Sequence, residues 1–256
     1  MSLEFLEAEI LRYSRHILLR EVGGLGQAQL RAASVLIIGA GGLGSPAALY
    51  LTAAGVGRIG LVDHDVLELS NLQRQIAHTT ARVGQSKVAS AAEAMCAIND
   101  LVTVDQHLLK VGCDNVDGLI GDYDLILDGT DNFETRFLVA DACVRQRKIL
   151  ISAAVLRFEG QISTFKPHES AEYPCYRCLY PEPPEQGSVP SCSEAGVLGS
   201  VTGVMGCLQA TETLKEILHI GTSLAGKLLI WDALSVRFRR ITIPRDPNCT
   251  ACSHVP

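Results

Sequence analysis

The sequence has no surplus of positive charge. Its 22 Lys and Arg stand against 28 Asp and Glu, a net charge of −6 at pH 7, and a polyanion is neutralised only by clustered cations. Neither nucleic acid nor a membrane is therefore expected as a partner. The start also lacks the marks of an export leader: MSLEFLEAEILRYSR places three glutamates before any basic residue and has no small-residue cleavage site. A charge-free run does occur from Ala32 to Gly57, but six glycines and Pro46 interrupt it, and its pattern passes from β-branched residues to alanines and leucines. A buried strand, a glycine turn and a buried helix account for that run better than a bilayer span. Internal repeats and long linkers are missing too. With 47% hydrophobic and 20% charged residues, the 256-residue chain is expected to fold as a single globular domain.

Cysteine is plentiful: there are nine, three of them between Cys175 and Cys192. Without an export signal the chain is expected to be cytoplasmic, where disulfides are rare, so metal binding or catalysis is the leading explanation.

Residues 4–20 set Phe5, Leu6, Ile10, Ile17 and Leu18 apart from Arg12, Arg15 and His16, which predicts an amphipathic leading helix. From Ser34, apolar runs alternate with helical patterns: SVLIIGA then SPAALYLTAAG, RIGLVD then KVASAAEAMCAIN, DLILDGT then NFETRFLVADACVRQRK, then ILISAAV. This alternation predicts an α/β fold, a doubly wound, Rossmann-like, mostly parallel sheet covered on both faces. The expected parts are a helical arm over 1–30, a nucleotide-binding core over 31–155 and a second half over 156–256. In that half RFEGQISTFK, KLLIWDAL and VRFRRITIP extend the strands, and a helix lies near 196–220. PEPPEQGSVPS can sustain neither helix nor central strand and is expected to be a mobile loop.

Gly39, Gly41 and Gly44 fit G-x-G-x-x-G between a predicted strand and helix, and Asp63 ends the next strand nineteen residues after Gly44. Such glycines permit a tight turn and close backbone approach to phosphate, and the carboxylate accepts from ribose hydroxyls. An NAD enzyme would look the same to this point. Arg74, in SNLQRQ (Ser70 to Gln75), and Lys87 then add two cations near the phosphate turn. A dinucleotide pyrophosphate can be held by backbone amides and a helix N-terminus alone. A triphosphate attacked at its α-phosphate gains more from fixed cations, because charge develops on the leaving pyrophosphate. Taken singly, neither residue is persuasive, and a lone Lys more often reads as an ordinary solvated surface cation. Asp131, in DLILDGTDNFETR, falls at the C-terminal end of a predicted core strand, the crevice position of open α/β sheets. A carboxylate there could coordinate magnesium on a triphosphate, while Thr130 or Asn132 would serve to cap the following helix.

In order and spacing, GAGGLG, SNLQRQ, GTDN, CYRC and CTAC resemble the MoeB/ThiF family of sulfur-carrier adenylyltransferases, relatives of the ubiquitin-activating enzymes, over essentially the whole chain. The resemblance implies ATP-dependent adenylation of the C-terminal glycine of a small ubiquitin-like sulfur carrier protein, MoaD- or ThiS-like and ending in Gly-Gly. The carrier's carboxylate attacks the α-phosphate, pyrophosphate leaves, and an acyl adenylate is ready for sulfur, in molybdopterin or thiamine biosynthesis. It implies nucleotide contacts from Gly42, Asp63 and the segment Ser70, Asn71, Leu72, Gln73 and Arg74. Further contacts come from Lys87, Asp131 and Asn132, with Arg74, Lys87 and Asp131 catalytic and Mg2+ associated with Asp131. Arg15, in RYSRHILL, matches an arginine that enters the neighbouring subunit's ATP site, which implies a homodimer; composition alone gives Arg15 no role. Some relatives carry a C-terminal rhodanese domain. Here the sequence ends four residues after Cys252, so a separate sulfur donor protein is expected, with residues 156–256 binding the carrier and a zinc ion.

Cys175-x-x-Cys178 and Cys249-x-x-Cys252 can together supply four thiolates, and a closed four-cysteine Zn2+ site is structural. A thioredoxin-like redox pair would leave the second pair unexplained. Cys192 matches the position at which some members attach the carrier covalently, and an unreactive thiol fits it as well. Cys96, Cys113, Cys143 and Cys207 are expected to be small apolar fillers. Two other classes fit the core: an NAD-dependent oxidoreductase, which predicts NADH binding without ATP binding, and a non-catalytic carrier-binding protein. The second is disfavoured because no matched nucleotide-site residue is missing.

Overall fold

A computed structural model describes residues 4–185, 188 and 192–255, without the side chains of Cys192 and Ser193. The arm expected as one helix breaks into Glu7–Arg12 (α1) and Ser14–Ile17 (α2), followed by Gly23–Ala32 (α3). Tyr13 marks the break. Its side chain turns inward, where its hydroxyl accepts a hydrogen bond from Asn99 Nδ2 at 2.8 Å. Gly55, at φ 81°, lies against that ring, and a Cβ there would stand 2.6 Å from the Tyr13 hydroxyl. Leu11 and Leu18 remain exposed on the arm.

The sheet grows from Ser34–Ile38 (β1), whose SVLII is almost wholly buried, as a central strand covered on both faces must be. It pairs in parallel with Arg58–Val62 (β2) on one side and Leu125–Asp128 (β4) on the other. Thr103–His107 (β3) lies outside β2, and Ile149–Leu156 (β5) outside β4, both also parallel. Beyond β5 the direction changes. Glu159–Phe165 (β6), Lys227–Asp232 (β7) and Arg237–Thr242 (β8) continue the same sheet antiparallel, in the order β3-β2-β1-β4-β5-β6-β7-β8. The Rossmann-like sheet with its C-terminal extension is therefore as expected. β3 was not: TVDQH is a partly exposed edge strand with no apolar run to announce it.

Gly44–Ala54 (α4) and Lys87–Ile98 (α5) cover one face, burying Leu51 and Met95 against Val35, Ile37 and Leu61. Val116–Gly121 (α6), absent from the expectation, and Phe133–Gln146 (α7) cover the other, burying Ile120 and Phe137 against Leu36, Ile38 and Ile126. Tyr176–Leu179 (α8) joins this second core, Cys192–Ala195 (α9) is a short turn of helix, and Gly199–Leu218 (α10) packs on the first face beside α4. No helix among the described residues is long and apolar enough to cross a membrane. Of the expected mobile loop, residues 181–185 carry neither helix nor strand, and the remainder except Ser188 lies outside the described residues.

Candidate nucleotide and metal sites

Strand order reverses at β1: β2 and β3 lie on one side, β4 and β5 on the other. Their C-terminal ends open around a crevice of about 770 Å³, the position where open α/β sheets bind ligands. Its near wall is the glycine turn. Gly39 adopts φ 96°, and a Cβ on Gly44 would collide with the Gly39 carbonyl, so the turn tolerates no side chain at either position. His78 backs the turn. The buried ring meets Ala40 O at 3.1 Å and Ser90 Oγ at 2.9 Å, and burial holds its pKa below the ordinary imidazole value.

Asp63 sits at the end of β2. Its Oδ2 accepts from Ala40 N and its Oδ1 from Asp65 N, each at 2.9 Å. Two amides thus orient the carboxylate and leave lone pairs for a sugar hydroxyl. Lys87 opens α5, which Ser86 caps by accepting from Ala89 N at 3.3 Å. The Lys87 ammonium is nearly buried and reaches Asp65 Oδ2 at 2.6 Å. Burial penalises the charge on Asp65, but the hydrogen bond and charge of Lys87, with the charge of His64, together outweigh it and lower the Asp65 pKa. Arg74 lines the same wall, where its Nη1 donates to Ser70 O at 3.1 Å. Asn71 is buried, and its Oδ1 accepts from Glu68 N at 3.1 Å, closing the short turn before Arg74.

Asp131 and Asn132 form the opposite lip. Asn132 caps α7, accepting from Thr135 N at 2.9 Å, so capping does not fall to Asp131. Beneath them Asp128, 1% exposed, accepts from Thr130 N at 3.0 Å, Thr130 Oγ1 at 2.6 Å and Ser152 Oγ at 2.8 Å. Buried Arg136 donates to the Thr130 carbonyl, and Gln209 of α10 donates to the Asp128 carbonyl at 2.8 Å. This network holds the turn that carries Asp131. Gly42, Asp63, Asn71, Arg74, Lys87, Asp131 and Asn132 all come together in the crevice. Ser70, Leu72 and Gln73 do not line it: Ser70 Oγ bonds Glu68 at 3.2 Å, and the Gln73 carbonyl packs under Gly199. Arg15 is exposed on α2 and also lies outside it. Asp65, Asp128 and Arg136 went unanticipated; a carboxylate ending the apolar run LILD was the available signal for Asp128.

The crevice continues across the sheet to the antiparallel half, where Leu156, Ile230, Tyr176 and Tyr180 form its far wall and Gln161 Nε2 donates to the Tyr180 hydroxyl at 2.9 Å. α8 also carries half of the cysteine cluster. Sγ of Cys175 lies 3.9 Å from that of Cys178 and 3.5 Å from that of Cys249, and the Cys178 and Cys252 sulfurs are 3.5 Å apart. A disulfide needs about 2.05 Å. Four thiolates at about 2.3 Å from a tetrahedral zinc stand about 3.8 Å from one another, so the cluster fits that ion and could hold it. Within the cluster the Cys178 thiol is drawn down, chiefly by its hydrogen bond with Cys175. Arg245 clamps the tail, reaching the Ser170 carbonyl at 3.1 Å and the Cys252 carbonyl at 2.6 Å. Arg177 pins α8 to α7 through a two-pronged bond to Asp141 at 2.7 and 2.8 Å.

Of the cysteines expected as fillers, Cys143 alone is buried. Cys96 and Cys113 are exposed and Cys207 is half-buried, because their positions fall on outer faces and turns. The backbone of Cys192 opens α9, but its side chain lies outside the described residues.

A Rossmann-like sheet with a glycine turn, a carboxylate at the end of β2 and two cations beside the turn defines a nucleotide-binding α/β protein. Residues 13–251 match the ThiF family, and the chain belongs to it. It is 46% identical to a sulfur carrier protein adenylyltransferase of Thermus thermophilus over 256 residues, covering 99% of this chain and 94% of that one. It is 51% identical to a probable adenylyltransferase/sulfurtransferase MoeZ of Mycobacterium tuberculosis over 243 residues, 94% of this chain and 62% of the relative. It is 47% identical to the adenylyltransferase and sulfurtransferase MOCS3 of Anopheles gambiae over 249 residues, 97% of this chain. The chain spans only 56% of that MOCS3 protein's length. Among solved structures, E. coli MccB with ATP superimposes at a TM-score of 0.83 with 22% identity, over 95% of this chain and 75% of that one, a likeness of fold.

Proposed function

We propose that the protein is an ATP-dependent adenylyltransferase that activates the C-terminal carboxylate of a small ubiquitin-like sulfur carrier protein. One observation carries this reading: a single crevice runs from a glycine turn flanked by Lys87 and Arg74 to a largely apolar slot under β6 and β7. The first end suits a triphosphate and the second an extended chain terminus. The Thermus relative, matched over 94% of its length and named for this activity, supports it.

In this reading Asp63 holds the ribose, and the backbone at Gly41 and Gly42 lets the α-phosphate approach closely. A carrier carboxylate oxygen attacks the α-phosphorus and the bond to the pyrophosphate oxygen breaks, giving acyl adenylate and pyrophosphate. The carboxylate is already ionised, so no general base is required. Lys87 and Arg74 neutralise charge gathering on the leaving pyrophosphate. Asp131 is the residue that would hold Mg2+, which supplies further charge neutralisation when bound. Zn2+ in the four-cysteine cluster would keep α8, and with it Tyr176 and Tyr180, in place. Exposed Arg15, outside its own crevice, fits a homodimer in which it serves the partner's triphosphate. A persulfide-bearing sulfur donor would then consume the adenylate, in the cytoplasm.

The test is pyrophosphate exchange into ATP, with MoaD- and ThiS-like carriers ending in Gly-Gly. Exchange is expected only when the cognate carrier is present, and Asp131→Ala should abolish it without changing the thermal melt. Binding of NADH in place of ATP, read by calorimetry, would transfer the core to an oxidoreductase.

A further inference from the structure

Gln75, the last residue of SNLQRQ, is 3% exposed and lines the crevice. Its backbone is fixed on both sides, N donating to Asn71 O at 3.0 Å and O accepting from His78 N at 3.1 Å. Its side-chain amide lies against the glycine turn, with Nε2 3.7 Å from where a Cβ on Gly41 would stand. Its Oε1 is buried and has no hydrogen-bond partner. Buried amide oxygens are ordinarily paired, and leaving one unpaired is destabilising, so volume alone does not account for glutamine here. An acceptor needs a donor. The phosphates of ATP offer acceptors only, and its donors are the ribose hydroxyls and the adenine amine. Asp63, bonded to Ala40 N one residue from Gly41, marks the sugar side of the turn. Each of its carboxylate oxygens already holds one amide, and a ribose brings two neighbouring hydroxyls to be satisfied.

We propose that Gln75 Oε1 accepts a hydrogen bond from a ribose hydroxyl of the bound nucleotide, so that the site distinguishes ribonucleotides from deoxyribonucleotides. This inference rests on reading the crevice as an ATP site.

Wild-type protein, Gln75→Met and Gln75→Glu are titrated calorimetrically with MgATP and with its 2′-deoxy and 3′-deoxy analogues. Wild type should bind at least one analogue about tenfold more weakly than ATP, the effect of one hydrogen bond in a buried site. Gln75→Met should lose about tenfold towards ATP and no longer distinguish it from that analogue. Gln75→Glu keeps an acceptor and should keep the distinction, although its charge weakens all three ligands. A glutamine that merely packs would, on substitution, weaken all three alike and leave their ratios unchanged; that result overturns the assignment. So does a wild type that binds both analogues as tightly as ATP, an outcome that needs no variant to fold. If ATP itself does not bind, the proposed function falls too, whereas ATP binding without ribose discrimination removes this inference alone.

Discussion

Asp65→Asn separates the two tasks that converge on Lys87. The ammonium and the carboxylate are 2.6 Å apart, with side chains 9% and 49% exposed. At an effective dielectric of about 20 the direct attraction is about 6 kcal/mol. Desolvation of the nearly buried ammonium offsets most of it, and solvent screens the half-exposed carboxylate, leaving about 1–2 kcal/mol net. The asparagine variant keeps the shape and loses the charge, so the free protein should melt roughly 3–6 °C lower. Since burial is outweighed by the bond and charge of Lys87 together with His64, so that the Asp65 pKa is lowered, the contribution is complete above about pH 4 and is lost as the pH falls through the lower folded value. Towards nucleotide the sign reverses. Removing one negative charge beside the phosphate end frees Lys87, so MgATP should bind more tightly and restore more of the melting temperature than it adds to wild type. Differential scanning calorimetry with and without MgATP reads both effects. If the variant melts like wild type and binds MgATP more weakly, Asp65 is itself a ligand contact, and its pairing with Lys87 is incidental.

Two further predictions concern the cysteine cluster and the histidine behind the glycine turn. Cys252→Ala should abolish the binding of one zinc per chain, measured by metal analysis, and lower stability by about 3 kcal/mol or more, since ion binding and folding of the tail are coupled; retention of the metal would place it elsewhere. Burial holds His78 below the ordinary imidazole pKa, so the unfolded chain takes up its proton first as the pH falls. The stability that neutral His78 contributes is therefore complete above about pH 6.5 and declines below it. His78→Gln should flatten the fall of the urea midpoint between pH 7 and 5.5, although His168, also held low by burial, retains part of the slope.

The parallel half was legible because each central strand must be apolar on both faces, and SVLII, RIGLV and ILISAAVL are. β3 escaped because an edge strand needs only one partner and half a face, and TVDQH carries no such signal. The candidate nucleotide site was legible where chemistry forces a residue type: glycine at φ 96° in Gly39, a carboxylate at the end of β2, cations lining the crevice beside the glycine turn. It was illegible where the residue acts through another. Asp65 matters because it holds Lys87, and Arg136 because it holds the Thr130 carbonyl; neither relation has a fixed sequence spacing. Gln75 carried a second difficulty, because an unpaired acceptor can be recognised only once everything around it has been placed. The cysteine pairs lie at the other extreme, since four thiols in two CxxC units have few structural uses.

The two sites are joined by α7. Its first turn follows the lip carrying Asp131 and Asn132, and its second places Arg136 under the Thr130 carbonyl. Further along, Asp141 takes the fork of Arg177, and the Phe137 ring meets Tyr176 edge-on at 5.2 Å. Arg177 and Tyr176 lie between the two cysteines of the first pair. The cluster therefore bears on the crevice twice, directly through the Tyr176 and Tyr180 wall and indirectly through the helix that sets the Asp131 lip. A metal that only tied down the tail would leave nucleotide affinity untouched when removed. In this arrangement its loss should disturb the Tyr176 and Tyr180 wall first and the Asp131 lip second, because Asp128, Ser152 and Gln209 hold the lip independently of α8.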